Sequence, residues 1–152
     1  MAEHIWSVLC SKHLIEPQTN LMSLFEVVEK ITIVGGEERL AHSHAEGKRG
    51  FLFPVQMEVV TYWLRSNLSE PESSEGRVIV KSPEGEVVLS QEFMIDLQHE
   101  EGGYRHIVTY GVFPLSSFGT HWFVVEQRRS SKAKVPKWSR EARIPLEMIA
   151  GK

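Results

Sequence analysis

An all-β fold in one domain, a mostly antiparallel β-sandwich of about seven to nine strands, is what this sequence predicts. Three observations carry that expectation. Short segments alternate apolar and polar side chains, the period of a half-buried strand. Polar turns separate these segments at short intervals, as in sandwiches and barrels. No stretch joins helical periodicity to helix caps. The clearest alternation is Arg140 to Glu147, where Ala142, Ile144 and Leu146 interleave with charged residues or proline.

The first strand is expected from about Ile5 to Ile15, with Trp6, Val8 and Cys10 on one face and Ile5 and Leu9 on the other. Pro17-Gln18-Thr19-Asn20 supplies a turn, because proline fixes φ and asparagine tolerates unusual turn geometry. A long second strand follows from Leu21 to Val34. There Leu21, Phe25, Val27, Ile31 and Ile33 share one parity while Leu24 and Val28 share the other, which predicts cover on both faces or a bulge. Gly35-Gly36 ends it. The polar stretch from there to Gly50 is the longest without periodicity and reads as a loop, since a short helix within Glu37 to His44 lacks capping support. Phe51 to Arg65 is the densest apolar segment and belongs at the centre of a sheet, with Pro54 marking its start, a bulge or an edge.

Ser66 to Gly76, rich in serine and glutamate, reads as a solvated loop. Arg77 to Lys81 and Val87 to Leu97 form a hairpin around Ser82-Pro83-Glu84-Gly85, whose proline and glycine sit where a type I turn wants them. Glu100-Glu101-Gly102-Gly103 turns into a strand from Tyr104 to Val112, and Pro114 to Gly119 leads on to Thr120 to Arg128. The basic stretch Arg129 to Ser139 loops back to the final strand. With no internal repeat and no dividing linker, immunoglobulin-like or Greek-key connections are the expected topology.

A chain of 152 residues buries roughly 70% of its unfolded surface, enough for a full core without staples. Its 41% hydrophobic and 24% charged content excludes a disordered chain, and its apolar runs are too short for a bilayer-spanning helix. Met1 to Trp6 lacks a basic segment leading into an apolar one, and Cys10 is the lone cysteine; together they predict a cytoplasmic location. Asn67-Leu68-Ser69 fits the glycosylation pattern but carries no weight without secretion.

The net charge of −3 conceals a division. Residues 128–143 hold seven bases and one acid, a net of +6, and the remainder holds 10 bases and 19 acids, a net of −9. Such a split favours an anionic partner or self-association of unlike patches.

Ser7-Val8-Leu9-Cys10 and Thr19-Asn20-Leu21-Met22-Ser23-Leu24-Phe25-Glu26-Val27 resemble the opening of a family of small bacterial proteins of uncharacterised function. Ser82-Pro83-Glu84-Gly85 and Gly119-Thr120-His121-Trp122-Phe123 resemble that family's turn and strand motifs, so the likeness spans nearly the whole chain. It implies a β-sandwich and brings no catalytic or binding residue. Glu16 departs from the aspartate expected before the turn, which bears on turn geometry alone.

Chemistry-bearing constellations are few. His42-Ser43-His44 with Glu46 would place two imidazoles and a carboxylate on one side of an extended segment, a ligand set zinc accepts. His106 and His121 fall in strands, where a hydrogen-bonded structural role is expected. Asp96 is the only aspartate, against the clustered oxygens a calcium loop needs. Cys10 lies mid-strand as a core thiol, and Gly-x-Ser-x-Gly is absent, so no catalytic residue and no cofactor is assigned. The strongest candidate for partner binding is the basic segment, with Arg128, Arg129, Lys132, Lys134 and Lys137 as contacts and Trp138 as a stacking or anchoring ring. Nucleic acid ranks low, because the chain is acidic as a whole and no nucleic-acid motif accompanies the charge. The expected function is a non-catalytic protein-binding or scaffolding module, with a homodimer or a sheet edge that recruits a second chain as the default partner. A small-molecule, sugar or metal site built on His42 to Lys48 is the alternative, and a hydrolase ranks third.

Overall fold

The structure is a computed structural model and describes residues 1–98, 103–129 and 137–152. Among the described residues, alternating segments become nine strands, with one helix: β1 (Glu3–Ile15), β2 (Met22–Val27), β3 (Lys30–Val34), α1 (Gly36–Ala45), β4 (Phe51–Leu64), β5 (Glu72–Lys81), β6 (Val87–Leu97), β7 (Gly103–Leu115), β8 (Gly119–Arg129) and β9 (Ser139–Gly151). They make a four-stranded sheet ordered β2-β1-β4-β7 and a five-stranded sheet ordered β3-β9-β8-β5-β6. Every pair is antiparallel except β3 on β9. Strands β1, β4 and β7 take the A, B and E places of an immunoglobulin-like sandwich, and β9, β8, β5 and β6 take G, F, C and C′.

The core lies between the sheets. Leu9, Met57, Val59, Trp63, Val108 and Phe113 enter it from one side, and Val78, Val80, Ile95, Phe123, Val125, Leu146 and Met148 from the other. Phe51 to Leu64 is central, as expected, with β1 and β7 on its flanks, and its register shifts between Pro54 and Met57. In the β5–β6 hairpin, Gly85 N–H donates to Ser82 O at 2.9 Å and Gly85 has φ 88°, a left-handed position that suits glycine.

Three expectations are corrected. Leu21 to Val34 is two strands, not one: the chain bends at Glu26, φ 54°, and crosses from the first sheet to the second. The clash of parities in that segment accompanies the change of sheet: Ile31 and Ile33 of β3 turn toward the core, whereas on β2 Phe25 and Val27 are exposed and Met22 and Leu24 are half-buried. The loop after Gly36 contains α1. Glu37 and Glu38 favour its first turn, His42 and His44 its last, and Gly47 at φ 77° follows its end. Ser66 to Gly76 is loop only in part, since β5 starts at Glu72. Its inward residue there is polar: Ser74 is buried and reaches Gln127 Oε1 at 3.4 Å, while Gln127 Nε2 donates to Ala2 O at 2.8 Å.

Tyr110 is 8% exposed and packs edge-on to Phe123 at 5.5 Å, yet its hydroxyl has no hydrogen-bond partner among the described residues, and burial drives its pKa far up. Removing an unsatisfied polar atom without changing shape relieves its desolvation cost. Tyr110→Phe is therefore expected to hold or raise stability, by up to about 1 kcal/mol, in urea denaturation. A loss above that size would show that the hydroxyl is satisfied in solution.

Candidate functional site

The outward side chains of the five-stranded sheet form ordered rows across β6, β5, β8 and β9. Register places Glu92, Arg77, Glu126 and Arg140 in one row and Ile79, Val124 and Arg143 in the next, with Lys81, Trp122 and Pro145 beyond. Ile79 and Val124 are only 5% and 4% exposed although they face outward, because long side chains roof them.

Two tryptophan–arginine assemblies form the roof. Trp138 lies under the guanidiniums of Arg77 and Arg128, 4.2 and 4.3 Å from the ring centroid. Arg77 Nε donates to Glu126 at 2.6 Å, and Arg128 pairs with Glu75 and lies 3.9 Å from Glu92. At the other end Arg143 covers Trp122 at 3.7 Å. Between that end and the hairpin turn runs an open groove of about 530 Å³ lined by Lys81, Ser82, Trp122, Glu126, Arg140 and Arg143 among others. Among the described residues, no carboxylate lies within ion-pair distance of Lys81, Arg140 or Arg143. The turn's acid Glu84 is engaged by Ser117 Oγ at 2.9 Å, which holds its carboxyl below the ordinary value.

The basic segment expected to act as a unit is thus divided. Arg128 is occupied by acids and Trp138 is covered, so this ring anchors the sheet face and offers no free platform for a base. Arg129 and Lys137 are exposed, and Lys132 and Lys134 lie outside the described residues. Sequence reasoning passed over Lys81 and Trp122. The available signal was the outward parity of Trp122 and Val124 beside charged Glu126 and Arg128, an apolar stripe on a face that should be polar.

The trio His42, His44 and Glu46 was expected on an extended segment, but the two histidines sit on α1, where residues two apart point to opposite sides. His42 Nε2 faces Glu46 at 3.3 Å, whereas His44 Nε2 donates to Arg49 O at 3.0 Å. Lys48 holds the Glu46 carboxyl below its ordinary value, and no group of three His, Cys, Asp or Glu among the described residues is placed to hold a metal.

His106 stacks on Phe93 at 3.8 Å between ring centroids, and His121 meets Phe113 at 5.3 Å; the Nε2 of each has no hydrogen-bond partner among the described residues. Ser7 Oγ lies 2.7 Å from His4 Nε2, the one serine–histidine contact among the described residues' hydrogen bonds, and His4 packs edge-on to Trp63 at 4.9 Å. Cys10 is fully buried, and burial raises its pKa, as for an unreactive thiol. No helix among the described residues is long and apolar enough to cross a membrane. Compared with protein-family models and with curated proteins, the sequence matches none.

Proposed function

We propose that this chain is a non-catalytic, cytoplasmic protein-binding module that docks an acidic protein surface on the outer face of its five-stranded sheet. The supporting observation is the trio Lys81, Arg140 and Arg143 around Trp122, cations without carboxylate partners among the described residues beside a partly covered indole. Tryptophan and arginine dominate the energetics of protein interfaces, because each combines a large apolar area with directed polar contacts. A flat sheet face with its own aliphatic floor also meets a protein more readily than it encloses a small molecule.

A labelled, capped peptide of alternating glutamate and glycine tests the charge preference by fluorescence anisotropy at low and moderate salt. Salt-sensitive binding is expected, weakened at least tenfold by Arg140→Glu with Arg143→Glu and unaffected by Arg105→Glu on the other sheet. Equal loss from Arg105→Glu, no binding at low salt, or tighter binding of duplex DNA would overturn the proposal.

A further inference from the structure

Among the described residues, four strands have free edges, and three of them are short or interrupted. Strand β2 has 6 residues and β3 has 5, while β7 carries Gly111 and Pro114. Strand β6 differs. It runs 11 residues, Val87–Leu97, pairs with β5 along its length, and contains neither proline, glycine nor lysine. Natural sheets blunt such edges, because a row of unpaired N–H and C=O groups is a template for another strand. The register shift at Val80/Lys81 touches only its first residues.

Beside this edge the sandwich is open. Phe93 and His106 join β6 to β7 midway, but towards Val87 the sheets splay around a cleft of about 400 Å³, walled by Phe51, Leu52, Val87, Val88 and Pro114. Leu52 and Val87 are 63% and 55% exposed there. Arg49, in the loop before β4, and Glu86 are the charged side chains among the described residues that line the cleft. The cleft offers room for an apolar side chain of a strand added to β6, the feature that turns backbone pairing into selective recognition.

Charge selects the occupant. Residues 82–98 contain Glu84, Glu86, Glu92 and Asp96 and no lysine or arginine. Glu92 and Asp96 point to the outer face in the register with Arg77 and Ser73. A second β6 brings no base opposite them in any register, so self-pairing gains nothing from charge. A strand with cations four residues apart on its outer face and apolar residues on its inner face meets both acids and the cleft together.

We infer that the free edge of β6 recruits an extended basic segment of a partner protein by strand addition. The site is separate from the outer-face groove and does not depend on it. The probe is a capped nine-residue peptide with valine at even positions, lysine at the third and seventh positions and threonine at the other odd ones. Hydrogen exchange should show peptide-dependent protection of amides in Val87–Leu97. Binding should weaken about tenfold with Glu92→Lys and Asp96→Lys together, and equally with glutamates replacing the peptide's lysines, in line with two cross-strand ion pairs. Circular dichroism establishes that the variant is folded. Protection confined to other strands, no protection at millimolar peptide, or equal affinity for the glutamate peptide would overturn the inference. So would concentration-dependent protection of β6 without peptide, since a second copy would then cover the edge.

Discussion

Trp63→Ala is expected to cost about 3–5 kcal/mol, the range for truncating a large buried aromatic. Trp63 is fully buried, its Nε1 donates to Thr61 Oγ1 at 2.8 Å, and the His4 ring packs against it. Truncation thus empties a large volume and leaves Thr61 without its donor. Against a total stability of about 5–15 kcal/mol, the loss removes from about a fifth to all of the margin. With a urea slope near 2 kcal/mol/M, the midpoint falls by about 2 M. Trp63→Phe keeps most of the volume and should lose less than half as much. A loss below about 1 kcal/mol for the alanine variant would place the indole outside the core.

The second large effect is with pH. Burial lowers the pKa of His4, His106 and His121 below the ordinary 6.5, partly opposed at His4 by Glu141 and at His121 by Glu84. Well above pH 6.5 these side chains are neutral in both states, and their contribution to stability is at its full value. As pH falls below 6.5 the unfolded chain takes up protons that the folded chain refuses, so stability declines until the folded pKa values are reached. Denaturation midpoints should therefore fall from pH 7 to pH 5. The lowered carboxyl pKa values of Glu16, Glu46, Glu72 and Glu84 add their own loss only below their ordinary 4.5. His106→Gln, which removes one of the three, should flatten the decline between pH 7 and 5. A flat profile in the parent protein would mean that the imidazoles are hydrated and titrate normally.

Legibility followed the physics of each segment. Ala142, Ile144 and Leu146 alternate because β9 buries one face, and Pro83 with Gly85 marks a hairpin because only certain backbone angles close it. Helix α1 was obscured by composition: Leu40, Ala41 and Ala45 are its only apolar side chains, too few for a stripe, although Glu37, Glu38 and Gly47 marked its ends. The start of β5 was obscured because Ser74 finds its partner on β8, a hydrogen bond that no local pattern announces. The groove was harder still. Lys81, Trp122 and Arg143 come from three strands, and which strands adjoin is decided by packing, not by neighbours in the chain.

The parallel pair β3–β9 carries a consequence for how the chain acquires its shape. Lys30 lies against Glu147 and Val34 against Gly151, so this pair joins segments from near the two ends of the sequence. Closing so long a loop gives up chain entropy before any contact is made, and high contact order of this kind slows folding to milliseconds or longer. The β5–β6 and β8–β9 hairpins form from local contacts, and β3 must then find a strand already held by β8. The step that joins the sheet-crossing segment to the last strand is accordingly expected late in folding, and for a five-residue edge pair early in local opening.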